Sequence, residues 1–114
     1  MSLREQQSLF ARDVVKLAQW ASTMGYEYVF AEFQRPIEMQ QIYAQTGRSK
    51  TMDSYHIKKL AADIFFFKDS RLLTTAEELA PIGSYWEALS PLNSWGGNWK
   101  SFKDRPHFER RYNG

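Results

Sequence analysis

The longest apolar run in the chain, residues 60–67, carries a carboxylate in its middle, Asp63. Leu-Ala-Ala-Asp-Ile-Phe-Phe-Phe is rich in Ile and Phe and bounded by polar residues, which predicts a buried strand. An ionised carboxylate in such a strand is costly when it stands alone. Asp63 must therefore be paired, hold a metal, or lie at a surface edge. Whatever fold the chain adopts has to meet that requirement.

The chain has 114 residues, enough for one core, and the expectation is a single domain over residues 1–114. Aromatic residues make up 16%, too many for a disordered segment. The absence of cysteine excludes disulfide scaffolds, zinc ribbons and thiol nucleophiles. Only two histidines occur, His56 and His107, so any histidine chemistry has to use them. The net charge of +2 is compatible with an anionic polymer. Lysines and arginines are nevertheless spread among acids and no recognition helix stands out, so no nucleic-acid partner is expected. No run approaches the ~18 apolar residues of a membrane span, and stable membrane insertion is not expected. The polar start, Met-Ser-Leu-Arg-Glu-Gln-Gln, lacks a signal-peptide core. That predicts synthesis in the cytoplasm without a signal peptide.

Hydrophobic periodicity gives the remaining elements. Phe10, Val14, Leu17, Ala21 and Met24 share one helical face, with a Ser2–Glu5 capping box before it and Gly25 as its stop. Residues 26–33 alternate as a strand. A second helix is expected over 37–45, with Pro36 at its first position and Gly47 at its end. Thr75 and Glu78 form another capping box. Pro81 predicts a break there, with the main helix running over 81–89 and Pro91 stopping it. The tail carries Trp-Gly-Gly-Asn-Trp at 95–99 and ends in short extended pieces. Helices and strands mix without regular βαβ alternation. This predicts an α+β fold with a small, mostly antiparallel sheet flanked by helices.

Two histidines and one aspartate, His56, Asp63 and His107, form a plausible zinc set, because a catalytic zinc takes three nitrogen or oxygen ligands and keeps one place open. Spacing alone leaves the matter open. His56 and Asp63 would stand about 23 Å apart if the chain between them were extended, and they can share a metal only if residues 57–59 turn the chain back. The alternative is ordinary: a surface histidine, a paired strand aspartate and a histidine in a C-terminal loop. Asp104 lies three residues before His107, where a second carboxylate could act as general base.

Taken together, these residues resemble the M15 family of zinc peptidases. This is the D-alanyl-D-alanine carboxypeptidase and L-alanyl-D-glutamate endopeptidase group, which includes phage endolysins. Ser54, His56, Ala61 and Asp63 fit its first ligand motif, and Asp104 with His107 fits its second. Trp95 to Trp99, Phe102 and Phe108 match the tail of the phage-type members. Arg35 with Gln40 or Gln41 and the loop 47–51 are also similar. The resemblance spans roughly residues 30–110. The chain departs from the pattern at Lys59, where many members have glycine, and at Asn98, where many have aspartate.

The resemblance implies a single zinc peptidase domain of the Hedgehog/DD-peptidase-like fold. It implies that His56, Asp63 and His107 hold Zn²⁺ and that Asp104 is the general base. Arg35 would polarise the scissile carbonyl, and Ser54 would hydrogen-bond the substrate. The implied substrate is the stem peptide of peptidoglycan. L-alanyl-D-glutamate cleavage comes first, and D-alanyl-D-alanine carboxypeptidase or dipeptidase chemistry second. A non-catalytic, zinc-stabilised wall-binding module is the alternative from another class. The expectation is a monomer that reaches the wall on release during phage or prophage lysis.

Overall fold

The computed structural model describes residues 2–33, 59–100 and 103–112. The expected helix over 37–45, the loop 47–51, Arg35, Ser54, His56 and Phe102 lie outside them. Elements below are numbered among the described residues.

Helix α1 (Leu3–Thr23) starts at the expected cap. Ser2 Oγ accepts from the Glu5 N–H at 3.1 Å, and the Glu5 carboxylate accepts from the Ser2 N–H at 3.2 Å, so two orphan donors are satisfied. Phe10, Val14, Leu17 and Ala21 are buried, whereas Met24, expected on the same face, is the exposed C-cap. Gly25 follows with φ of 87°, a left-handed conformation that glycine adopts without a Cβ clash. The Tyr26 N–H then donates to the Ala21 carbonyl and aims the chain into the first strand.

Strands β1 (Glu27–Glu32), β2 (Ala61–Lys68), β3 (Arg71–Leu72), β4 (Asn93–Trp95) and β5 (His107–Arg110) form one antiparallel sheet. Its order is β1-β2-β5-β4, with β3 hairpinned onto β2. Asp69 and Ser70 turn that hairpin with φ of 52° and 63°, the two left-handed residues of a two-residue turn.

Helix α2 (Ala76–Leu89) passes through Pro81 without the expected break. The proline removes one hydrogen bond, to the Glu77 carbonyl, in the second turn. The first turn is held independently by the Thr75–Glu78 box and by Arg71 on Glu78. Leu79, Ile82 and Trp86 are buried on either side of Pro81, and that burial carries the helix across the defect.

Both helices cover one face of the sheet. Ala62, Ile64, Phe66 and Phe108 meet Phe10, Leu17, Leu79, Ile82 and Trp86 there, with Trp20 of α1 stacked on Tyr85 of α2 at 4.6 Å. Two buried polar links add to this core. Asp13 accepts from the Asn93 side chain at 3.1 Å, and Gln6 accepts from Arg110 at 2.6 Å, tying α1 to β4 and β5. Alternation along β2 and β5 sends the neighbours of those core residues, Asp63, His107 and Glu109, to the opposite face. No helix among the described residues is long and apolar enough to cross a membrane.

Candidate metal centre

Asp63 and His107 are direct cross-strand partners in the β2–β5 register. Residues opposite each other in an antiparallel pair share a face, with Cβ atoms about 4.5–5.5 Å apart. The requirement read from the sequence is met this way: Asp63 Oδ1 lies 3.4 Å from His107 Nδ1.

Asp104 arrives from the turn that leads into β5. Its carbonyl accepts the His107 N–H at 3.1 Å and its own N–H donates to the Gly96 carbonyl at 3.1 Å. The approach of that turn to Gly96 is close. A Cβ built on Gly96 would lie 2.1 Å from the Asp104 carbonyl oxygen, so no other residue fits without moving the backbone. The Trp95 indole N–H donates to the Arg105 carbonyl at 2.7 Å and fixes the turn from the other side. Trp99 packs its ring against His107 at 5.1 Å while its N–H donates to Ser94. The Trp-Gly-Gly-Asn-Trp segment is thus the scaffold of the Asp104–His107 turn. Trp86 and Trp95 are core residues, and Trp99 is half-buried against the site.

One ligand atom from each of Asp63, Asp104 and His107 falls within a group spanning at most 4.8 Å. Two carboxylates and an imidazole on the face of a packed sheet turned away from the helices are a donor set that suits a divalent metal such as zinc. The His107 ring supports that fit. Its Nε2 is 2.7 Å from the buried Glu109 carboxylate, leaving Nδ1 for the Asp63 side. Burial alone would lower the His107 pKa. The Asp63 and Glu109 carboxylates that face its two nitrogens outweigh burial and push it up to about 9 in the metal-free chain. A proton and a dication thus compete for the same Nδ1 position.

Of the residues singled out in the sequence, Asp63, Asp104 and His107 converge; Arg35, Ser54 and His56 fall outside the described residues. Two further contributors, Gly96 and Glu109, stand outside the set of ligands and catalytic residues expected from the sequence. The paired glycines at 96–97 point to a tight turn or a close backbone approach, and Gly96 makes that close approach to Asp104. Glu109 carries a signal that was available: it stands two residues after His107, on the same face of one strand.

Lys59 explains one departure from the family pattern. It has φ of 58°, the left-handed region in which glycine is unstrained. The turn that enters β2 therefore asks for glycine, and this chain meets it with lysine. Asn98 explains the other: its side-chain amide donates to Glu87 at 2.9 Å, a role aspartate cannot fill.

A family model described as D-alanyl-D-alanine carboxypeptidase matches residues 47–110, which include every residue of this centre. The chain belongs to the M15 peptidase family. Within that family it is 31% identical over 100 residues to the L-alanyl-D-glutamate peptidase of Listeria phage A118, covering 87% of this chain and 36% of the phage protein. The chain therefore spans about a third of that relative's length. The fold of this chain is similar to that in the crystal structure of the Serratia marcescens L-Ala D-Glu endopeptidase ChiX. That structure matches with a TM-score of 0.72 at 23% identity, covering 95% of this chain and 85% of the other.

Proposed function

We propose that this M15 chain is a zinc-dependent peptidoglycan hydrolase that cuts the L-alanyl-D-glutamate bond of the stem peptide. The observation that carries the reading is the convergence of Asp63, Asp104 and His107 on one side of the sheet. The names of the phage relative and of the Serratia structure support the choice of bond.

In this reading Asp63 and His107, with His56 from the family motif, hold the ion. Zinc, when bound, supplies Lewis acidity that acidifies water and polarises a carbonyl. Asp104 is left to move protons: its carboxylate takes one from the attacking water and hands it to the departing amine. Its half-buried turn, pinned at Gly96 and Trp95, keeps the carboxylate from swinging away between those two transfers. Arg35 steadies the developing negative charge on the scissile oxygen, and Ser54 hydrogen-bonds the peptide.

D-alanyl-D-alanine carboxypeptidase activity is the second reading, favoured by the description of the family model. Incubation with purified peptidoglycan followed by mass analysis separates the two. Endopeptidase action frees stem peptides that begin at D-glutamate, and carboxypeptidase action frees single D-alanine. Recovery of neither, from protein loaded with zinc, would refute both.

A further inference from the structure

Glu109 is a carboxylate that the proposed reaction does not use, and it is only 5% exposed. Burying a carboxylate costs several kcal/mol unless its oxygens are matched. Here both are. One oxygen lies 2.7 Å from His107 Nε2, and the other accepts from Arg111 Nε at 3.1 Å. The backbone of the same residue is held as well, because the Trp86 indole donates to the Glu109 carbonyl at 3.1 Å from within the core. On the sheet it faces Ala61 of β2 and Ser94 of β4. Glu109 thus sits on a central strand with its carboxylate held at two points and its backbone carbonyl at a third.

We infer that Glu109 is the positioning residue of the metal centre: it holds the Nε2–H of His107 and so presents Nδ1 of that ring to the side of Asp63 and Asp104. The inference rests on the metal reading above. An imidazole has two nitrogens on different edges, and a hydrogen bond to one decides which is left for a metal. Glu109 occupies the Nε2 edge, whereas Asp63 faces Nδ1. The same placement removes Glu109 as a general base. Its oxygens are committed to His107 and Arg111, and it stands across the ring from Asp63.

The test measures zinc affinity by competition with a chromophoric chelator for wild type, Glu109→Ala and Glu109→Gln. It is paired with long-range ¹H–¹⁵N spectra of the zinc-loaded chains, which hold only two histidine rings to assign. Wild type should show His107 protonated at Nε2. Glu109→Ala should bind zinc about 10–100-fold more weakly. Glu109→Gln, whose amide oxygen still accepts the Nε2–H, should keep that protonation pattern and lose several-fold. If the alanine variant does not fold, the near-isosteric glutamine variant decides. Unchanged zinc affinity in a folded Glu109 variant, or a wild-type spectrum with Nε2 on the metal, overturns the inference and leaves the metal reading standing. A wild type with no zinc affinity fails differently, because it removes the metal reading itself.

Discussion

Replacing Gly96 with alanine adds one methyl group at the point where the Asp104 turn touches the Trp-Gly-Gly segment. The new Cβ would meet the Asp104 carbonyl oxygen at 2.1 Å, its carbonyl carbon at 3.0 Å and its Cβ at 3.2 Å. Ordinary contact lies at about 3.5 Å, so the turn must retreat by about 1.4 Å. The obstacle is backbone, so no rotamer change relieves it. That carbonyl also accepts the His107 N–H, and the Asp104 N–H donates to Gly96 itself, so retreat strains the hydrogen bonds that set the turn. Overpacking of this kind costs about 1–3 kcal/mol, which lowers Tm by roughly 4–8 °C per kcal/mol in a domain near this size. A 1 Å error in a catalytic carboxylate costs on the order of 100-fold in rate. Gly96→Ala should therefore lose most of its activity at temperatures well below its own Tm. The assay is peptide release from peptidoglycan beside thermal unfolding. Wild-type turnover in a folded Gly96→Ala chain would refute the claim that this contact places Asp104.

Asp104→Asn should keep its zinc and lose about 10²–10⁴-fold in rate, because asparagine preserves shape but cannot take a proton; Asp63→Asn should lose zinc together with activity, and metal content measured beside rate separates the two roles. Lys59→Gly should stabilise the chain by about 0.5–1 kcal/mol in urea unfolding, the relief of the left-handed lysine less the extra freedom of glycine in the unfolded chain. Asn98→Asp should destabilise by about 1 kcal/mol, because a donor to Glu87 becomes a like charge, and added salt should recover part of the lost Tm. The Arg71 and Thr75 hydrogen bonds hold the Glu78 carboxyl down at about 2, so its contribution is fully present above about pH 4.5 and is lost as pH falls towards 2; the Tm gap between wild type and Arg71→Gln should be constant above pH 5 and close below it.

The parts of the fold that were legible in the sequence are those whose causes are local. Both capping boxes form with the residues that name them, and the α1 stripe packs as its spacing requires. Pro81 was misread because propensity is a local cost and its compensation is not. The Arg71 contact comes from the β3 hairpin, and the burial of Ile82 and Trp86 comes from the sheet. The polar links Gln6–Arg110 and Asp13–Asn93 join residues 104 and 80 apart in sequence, and no periodicity points to such pairs.

The candidate centre divides along the same line. Asp63 announced a partner because a carboxylate in an apolar strand demands one, and that partner is the residue opposite it in register, His107. Register between strands far apart in sequence is a tertiary fact, so the sequence could state the demand without naming who meets it. The Trp-Gly-Gly segment shows the converse. Its residues stood out as a motif, yet their work is structural: Trp95 and Gly96 hold a turn, and the turn holds the chemistry. A substitution at Gly96 that never touches a ligand atom is therefore expected to damage the site almost as a ligand substitution would. Asn98, in the same segment and exposed, is expected to change stability without changing the reaction.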